Sequence, residues 1–427
     1  MPTRLCFKTI STFFAANAYL TEMPLKYYPK SRKFSMEKIT KTNLTKYLPW
    51  LISVFFFFCF ISMGCSTYMM VRQIVKPNPE ITIKNIFLAI MLNGSGILVM
   101  GIVHYSITKE PESTNRTNLL LRFRDMMFPE DDLDSPSTYP IWMTRTGQYD
   151  KFGIAAATLF YPVPILPLFA TVFGLLANLD VYQHVLYDIL PSNVYGHLWT
   201  QIVIKFFSGI LIYSGFAESA RLLGNAGIIS IIFVELMGRI VKRLASWDIG
   251  VAGGEERLGA IQKMYHTYNQ LRIVEVTIHE IEAAEAFLII EGGIWLCAGC
   301  LFACLRLYDI LPFEFYILYP FITIAAIGVS QLLLSSLKII DENSSMALVK
   351  WKEQLGGMEN VGIEKKYLRR KFKALRPMRF IAGIGGSTFF IIDKSTTPYF
   401  LRSILDNLIN LFAWLPELGT SKIQFMD

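Results

Sequence analysis

Lysine and arginine are missing altogether from residues 179–199 and 309–314 of this 427-residue chain. The segment 73–85 holds only Lys76 and Lys84, and the tail beyond Pro416 holds only Lys422. The other basic residues are crowded: segments 1–47, 109–151, 238–280 and 338–379 carry 9, 6, 6 and 11 of the 41. Moving Lys and Arg across a bilayer is unfavourable, so basic loops stay in the cytoplasm and bare loops lie outside. The alternation predicts a cytoplasmic N-terminus, an odd number of spans and an extracellular C-terminus.

Further absences exclude whole function classes. The five histidines are scattered, and there is no His-Glu-x-x-His, Gly-x-Ser-x-Gly or Walker sequence, so the chain is not expected to be an enzyme or to hold a cofactor or metal. Neither an internal repeat nor a pair of broken helices is visible, which weighs against a secondary transporter. The six cysteines form no secreted framework, because Cys59, Cys65, Cys297, Cys300 and Cys304 lie in apolar segments and Cys6 in the basic N-terminal tail. Cys297, Cys300 and Cys304 share a helix face, where polarizable side chains packing between helices explain them more simply than a metal does. The stretch Leu5 to Leu20 faintly resembles a signal peptide, but Lys8, Ser11, Thr12 and Asn17 break its apolar run.

What the chain has in excess is hydrophobicity: 53% of its residues are apolar and the mean hydropathy is +0.39, more than one soluble core can bury. The expected fold class is an all-α, multi-pass integral membrane protein. A helix needs about 20 apolar residues to cross the hydrocarbon core, and segments 48–71, 86–107, 153–178, 200–222, 283–308 and 315–337 satisfy this. Pro162, Pro164 and Pro167 should kink the third of them. The net charge of +7 sits beside the spans, where anionic inner-leaflet lipid is a simpler partner than nucleic acid.

Several spans continue as amphipathic helices on the basic side. After the interruption at Gly224-Asn225-Ala226-Gly227, apolar periodicity resumes at Ile228 and runs through Phe233, Met237, Val241 and Leu244. Leu258, Ile261, Tyr265, Tyr268, Leu271, Val274 and Ile278 repeat at helical spacing ahead of the fifth span, and Trp351, Leu355, Tyr367, Leu368, Phe372 and Leu375 offer a third such stripe. The segment Lys109 to Asp150, with its prolines and the run Glu130-Asp131-Asp132, predicts a long polar loop. Gly383, Gly385 and Gly386 only loosely suggest a phosphate loop, having no Lys-Ser or Lys-Thr after them.

The last apolar stretch, Tyr399 to Leu415, is the most informative chemically. Ser403, Asp406, Asn407 and Asn410 fall within about a 100° arc of a helix, with Ile404, Leu405, Leu408, Ile409, Leu411 and Phe412 on the other side. Such a stripe must meet protein or water, since each unsatisfied polar group in lipid costs several kcal/mol. Two readings follow. The asparagines bond to a neighbouring helix, or copies of the helix surround water, with Asp406 rings favouring cations and Leu411 or Phe412 closing the path.

The pattern Arg376-Pro377-Met378-Arg379, then Phe389-Phe390-Ile391-Ile392-Asp393, then a final span, resembles the C-terminal signature of the arthropod gustatory and odorant receptor superfamily. The chain departs from the family pattern by reading Leu405-Asp406-Asn407-Leu408-Ile409-Asn410 where a Thr-Tyr pair is common, and by placing Gln424-Phe425 well past Pro416, which suggests a divergent, gustatory-like branch. The resemblance implies seven transmembrane helices and a ligand-gated, non-selective cation channel of the plasma membrane. It also implies assembly as a homotetramer, or as a heterotetramer with a co-receptor subunit. The last helix would line the pore, through Ser403, Asp406, Asn407, Asn410 and Leu411. A small organic tastant or odorant would bind among the outer ends of spans two to six, with Tyr161, Tyr182, His184, Trp199 and Glu291 as candidates. Interfacial Tyr and Trp are also ordinary membrane anchors, and Glu291 has a helix-pairing alternative. Glu218 and Arg221, three apart, suit a structural ion pair.

The implied organisation is a cytoplasmic tail over 1–47; six spans with cytoplasmic helical extensions over 48–338; a cytoplasmic linker with a short re-entrant or interfacial helix over 339–398; the pore helix over 399–416; and an extracellular tail over 417–427. The alternatives are a G-protein-coupled receptor or a secondary transporter. A G-protein-coupled receptor would have an external N-terminus, and neither an Asp-Arg-Tyr nor an Asn-Pro-x-x-Tyr motif is present. The sequon Asn43-Leu44-Thr45 separates the two topologies, because it can be glycosylated only outside.

Overall fold

The computed structural model describes residues 3–78, 81–127, 140–143, 147–176, 180–191, 197–247, 254–309, 311, 313–356 and 363–414. The acidic run Glu130-Asp131-Asp132 and the tail 417–427 lie outside them. The described chain is a helical membrane protein with two small β-hairpins, so the all-α expectation holds apart from these. Helix α1 is Arg4–Ala16, followed by the hairpin β1 Leu25–Tyr28 and β2 Lys33–Met36. Then come α2 Leu44–Val75, α3 Ile83–Met127, α4 Lys151–Phe160, α5 Leu166–Leu176 and α6 Val181–Ile189. The long α7 Leu198–Ser246 and α8 Gly254–Arg306 precede a single turn, α9 Phe313–Tyr316, and α10 Leu318–Gly356. The chain closes with α11 Ile363–Ala374, the hairpin β3 Ile381–Ile384 and β4 Ser387–Ile391, and α12 Thr396–Trp414.

Among the described residues, five helices are long and apolar enough to cross a membrane: α2, the Lys84–His104 part of α3, α7, the His279–Arg306 part of α8, and α10. Joining α5 to α6 as one broken span gives six. The helix α12, 19 residues long and carrying Arg402 and Asp406, is not among them.

Where the structure departs from the sequence reading, tertiary contacts decide. Lys109 onward is not loop, because α3 runs on to Met127. Leu120, Leu121 and Phe123 are buried there, and Asn118 ties the helix to β2, accepting from Phe34 N at 3.0 Å and donating to Phe34 O. The third span does more than kink: the prolines divide it into α4 and α5 around Tyr161–Ile165. Conversely, Gly224 to Gly227 do not interrupt α7. A Cβ at Gly224 would stand 2.5 Å from the Phe13 ring, and Phe160 lies against Gly227, so the small residues form the seat on which α1 and α4 dock.

The segment 378–392 forms no re-entrant or interfacial helix. It is a hairpin, pairing Ile381 with Ile391 and Ile384 with Ser387. Gly385 and Gly386 have φ of 61° and 80°, the left-handed pair that a tight two-residue turn needs and that residues with a Cβ rarely adopt. The hairpin packs on α8, with the rings of Phe287 and Phe389 5.0 Å apart.

The largest apolar cluster lies at the basic end. There Met237, Ile240, Val241 and Leu244 of α7 meet Tyr268 and Leu271 of α8, Trp351 of α10 and Phe372 of α11. Tyr268 and Phe372 both contact Trp351 edge-on, at 5.6 and 6.0 Å. At the charge-poor end the clusters are smaller, one built on Phe87, Phe302, Leu307, Leu311 and Tyr319 and another on Met69, Ile81, Ala89 and Val181.

Candidate functional site

One flank of α12 binds it to the rest of the chain. Phe400, Ile404 and Leu408 are buried, and Phe400 approaches α8 at Gly293, where a Cβ would stand 3.4 Å from its ring. Further along, Phe412 lies 5.2 Å from Phe302. The remaining surface is open: Asp406, Asn407 and Asn410 are exposed, while Ser403 is half-buried. Asn407 donates to its own Ser403 carbonyl at 2.8 Å, and Arg402 Nε lies 3.6 Å from Asp406 Oδ2. The polar stripe thus forms one edge of the open surface, beside an apolar ridge of Leu401, Leu405 and Ile409. Leu411, the fifth expected pore residue, is half-buried against the core on the packed flank, apart from the four residues of the polar stripe.

The family-like residues before α12 are its joints. Met378 is fully buried and its N–H donates to Ser344 Oγ at 3.1 Å, while the Arg376 carbonyl accepts from Tyr268 OH at 2.9 Å. Arg379 Nε lies 3.4 Å from Asp341. Ile392 N–H closes on the Phe380 carbonyl at 2.9 Å, and Asp393 Oδ1 accepts from Ser395 N–H at 2.8 Å where the chain turns into α12. Residues 376–393 therefore clamp the start of α12 to α8 and α10.

At the charge-poor end, α6 docks on α2 and α3 through polar contacts. Tyr182 is buried, with its hydroxyl bonded to Ser62 Oγ, and its N–H donates to Asp180 Oδ1 at 2.9 Å. His184 Nε2 meets Asn85 Nδ2 at 2.5 Å, and Arg72 pairs with Asp188 at 3.2 Å. Sequence reasoning missed Ser62, Asn85, Arg72 and Asp188. The available signal was a polar residue inside an apolar run, as at Ser62 after four consecutive phenylalanines.

The five candidate ligand residues do not converge on one place. Tyr182 and His184 share α6, and Trp199 is exposed at the start of α7. Tyr161 follows Phe160, which rests on Gly227, 29 residues or about 44 Å down α7 from Leu198 and so near the basic end. Glu291 is half-buried midway along the fifth span. Glu218 and Arg221 form a buried ion pair at 2.5 Å; Thr21 adds a hydroxyl to Glu218 at 3.1 Å and a carbonyl to Arg221 at 2.6 Å. Cys297 and Cys300 are core side chains.

Two clefts lie at the basic end. One, among α4, α7 and α10, is lined by Phe152, Leu159, Ile231, Glu235 and Ser336. The other is open to the surface between α7, α8, α10 and the start of β3, lined by Phe233, Glu282, Ile289, Ser330 and Phe380. Beyond the spans, burial pushes the Glu275 carboxyl up to about 7, against the opposing influence of Arg272 and the Arg379 N–H.

No protein-family profile matches the chain, and no curated protein does. Solved structures do. The insect olfactory receptor OR5 of Machilis hrabei superposes with a TM-score of 0.47 at 9% identity, over 95% of this chain and 97% of that one. The same receptor in complex with eugenol superposes with a TM-score of 0.51 at 9% identity, over 95% and 98%. The second superposition, nearly end to end on both chains, fixes the architecture: this membrane protein has the fold of that insect olfactory receptor.

Proposed function

We propose that the chain is a chemosensory receptor of the arthropod gustatory and odorant receptor superfamily, acting as a ligand-gated cation channel in the plasma membrane. In this reading there are seven spans, with the N-terminus in the cytoplasm and the C-terminus outside. Four copies, alone or mixed with a co-receptor subunit, bring α12 around a common axis. The observation that carries the reading is the open polar edge of α12. The opposite flank of this helix packs at Gly293 and Phe302 of the fifth span; in the proposed topology its carboxylate and two amides lie at membrane depth and need water in front of them.

Each polar group has a role in that assembly. Asp406 carboxylates arranged in a ring raise the local cation concentration, and Asn407 and Asn410 replace part of a hydration shell. Arg402, one turn away, tempers the Asp406 charge. Leu401, Leu405 and Ile409 face the neighbouring copy. A small organic ligand, for which eugenol in the OR5 complex is a precedent, enters at the charge-poor end, where the small apolar cluster of Met69, Ile81, Ala89 and Val181 adjoins the polar set of Tyr182 and His184. Trp199 stands at the rim, while Tyr161 and Glu291 lie away from it. Displacement of α6 acts on α2, α3 and α7, and α8 passes it through the clamp at residues 376–393 to α12.

Recording ligand-evoked current, with eugenol among the trial ligands, tests the channel. Asp406→Ala and Asn410→Ala should change conductance and shift the reversal potential toward weaker cation preference. Untouched conductance and selectivity in both variants would sink the pore assignment. Glycosylation mapping at Asn43 tests the orientation independently, and efficient use of that sequon would reverse it.

A further inference from the structure

From Lys365 to Ile392 the chain carries no aspartate or glutamate, while eight basic residues fall between Lys365 and Arg379. Helix α11 sorts them onto one side. At 100° per residue, Lys366, Arg369, Arg370 and Lys373 stand at i, i+3, i+4 and i+7, within about a 100° arc. All four are exposed. The opposite arc is buried: Leu368, Phe372 and Leu375 enter the core, and Phe372 packs 5.6 Å from Tyr265 and 6.0 Å from Trp351. Lys371, on the flank, lies over the rings of Tyr367 and Tyr265 at 4.2 and 5.2 Å. The packing fixes the rotation of the helix and holds the cationic face outward.

Among the described residues none of these four cations has a carboxylate partner, although Arg379 pairs with Asp341 and Lys394 with Glu342 close by. Like charges at i, i+3 and i+4 repel one another along a helix. A charged face that is only solvated normally mixes both signs, as helical ion pairs do elsewhere in this chain. Four unrelieved positive charges on a rotationally locked helix match a dense negative charge supplied from outside the chain.

Depth separates the sources of that charge. Trp351, on which α11 rests, lies 14 residues past Leu337 on α10, and Tyr268, bonded to the Arg376 carbonyl, lies 15 residues before Ala283 on α8. Both place α11 about 20 Å beyond the apolar spans. A charged bilayer surface is screened within about 8 Å at physiological ionic strength, so a soluble ligand fits better than a lipid headgroup. The stripe from Lys366 to Lys373 is about 10 Å long, comparable to a short run of phosphates, and guanidinium forks grip phosphate oxygens in pairs.

We propose that α11 binds a soluble polyphosphate anion, of the class of nucleoside triphosphates and inositol polyphosphates, through Lys366, Arg369, Arg370 and Lys373. The clamp of residues 376–393 follows directly in sequence, so an occupant of the stripe biases the base of α12. The site rests on the proposed orientation only for its access to the cytosol. In detergent both ends are accessible, so binding and topology fail separately.

The test is calorimetric titration of the purified full chain, in neutral detergent, with sodium tripolyphosphate. Saturable binding is expected, weakened at least tenfold by Arg369→Gln with Arg370→Gln, and weakened less by Arg369→Lys with Arg370→Lys, which keep the charge but lose the paired grip. Lys366→Gln with Lys373→Gln should weaken it comparably, and the melting temperature should not fall in any variant, because all four side chains are exposed and losing like charges only relieves repulsion. No saturable binding, equal binding by the double glutamine variants, or an equal response to sulfate at matched ionic strength would overturn the proposal. Stripe-dependent binding found only in nanodiscs containing phosphatidylinositol bisphosphate, with none to the soluble anion, would overturn it in favour of lipid.

Discussion

The two ends of the molecule are built on different principles. At the basic end, α7, α8, α10 and α11 share one continuous apolar core around Trp351, Tyr268 and Leu271, and most of its members are almost fully buried. At the charge-poor end the apolar clusters hold eight and four buried residues, and α6 is tied to its neighbours by single polar contacts, Tyr182 to Ser62, His184 to Asn85 and Arg72 to Asp188. A core of interlocking large side chains resists displacement in every direction, whereas isolated polar links can break one at a time. The contrast suits the first region to anchoring and, in the proposed receptor, the second to response.

The most damaging change should be Trp351→Ala. Removing a fully buried indole that contacts both Tyr268 and Phe372 leaves a cavity worth about 3–5 kcal/mol, so the variant should lose most of its folded population in size-exclusion and thermal assays. Survival at wild-type stability would mean that the basic end is not the anchor.

A pH effect of order 3 kcal/mol at most is expected from the same region. Glu275 carries a folded-state carboxyl raised to about 7 from an ordinary 4.5, so the folded protein holds a proton that the unfolded chain releases between these values. Its contribution is present below about pH 4.5 and is lost as pH rises toward 7. Thermal melts of wild type against Glu275→Gln should therefore converge in acid and separate with rising pH, the glutamine variant becoming the more stable of the two.

Much of this division is legible in the amino-acid sequence, because charge distribution and periodicity are local signals. The stripes at Phe233, Met237 and Val241, at Tyr268 and Leu271, and at Trp351 and Phe372 mark the helices of the basic end, and the arc of Ser403, Asp406, Asn407 and Asn410 marks α12. What escapes depends on partners distant in the chain. The continuation of α3 beyond Lys109 follows from Asn118 meeting Phe34, and the continuity of α7 at Gly224 from Phe13 filling the space that glycine leaves. The hairpin at 381–391 is hidden because its turn signal, Gly385-Gly386, is also common in irregular loops.

Smaller effects should appear at the responsive end. Tyr182→Phe removes the hydroxyl link to Ser62 and should cost about 1 kcal/mol locally, read as a several-fold change in the ligand concentration for half-maximal current with little change in melting temperature. Asn85→Ala, which removes the contact with His184, should act in the same direction and add to it only partly, since both links hold α6. Full additivity would show that α6 does not move as one body.

The unbroken course of α7 has a mechanical consequence. Its 49 residues amount to a rod of about 74 Å, one end beside Trp199 and the other inside the anchored core. A rod clamped over its inner half acts as a lever: with the fulcrum near Gly224, 26 residues or about 39 Å from Leu198, a tilt of about 4° carries the free tip through roughly 2.7 Å. Motion the size of a small ligand's contacts is thus compatible with almost no disturbance at the pivot, and the seat of Phe13 on Gly224 lies close to where that pivot must be.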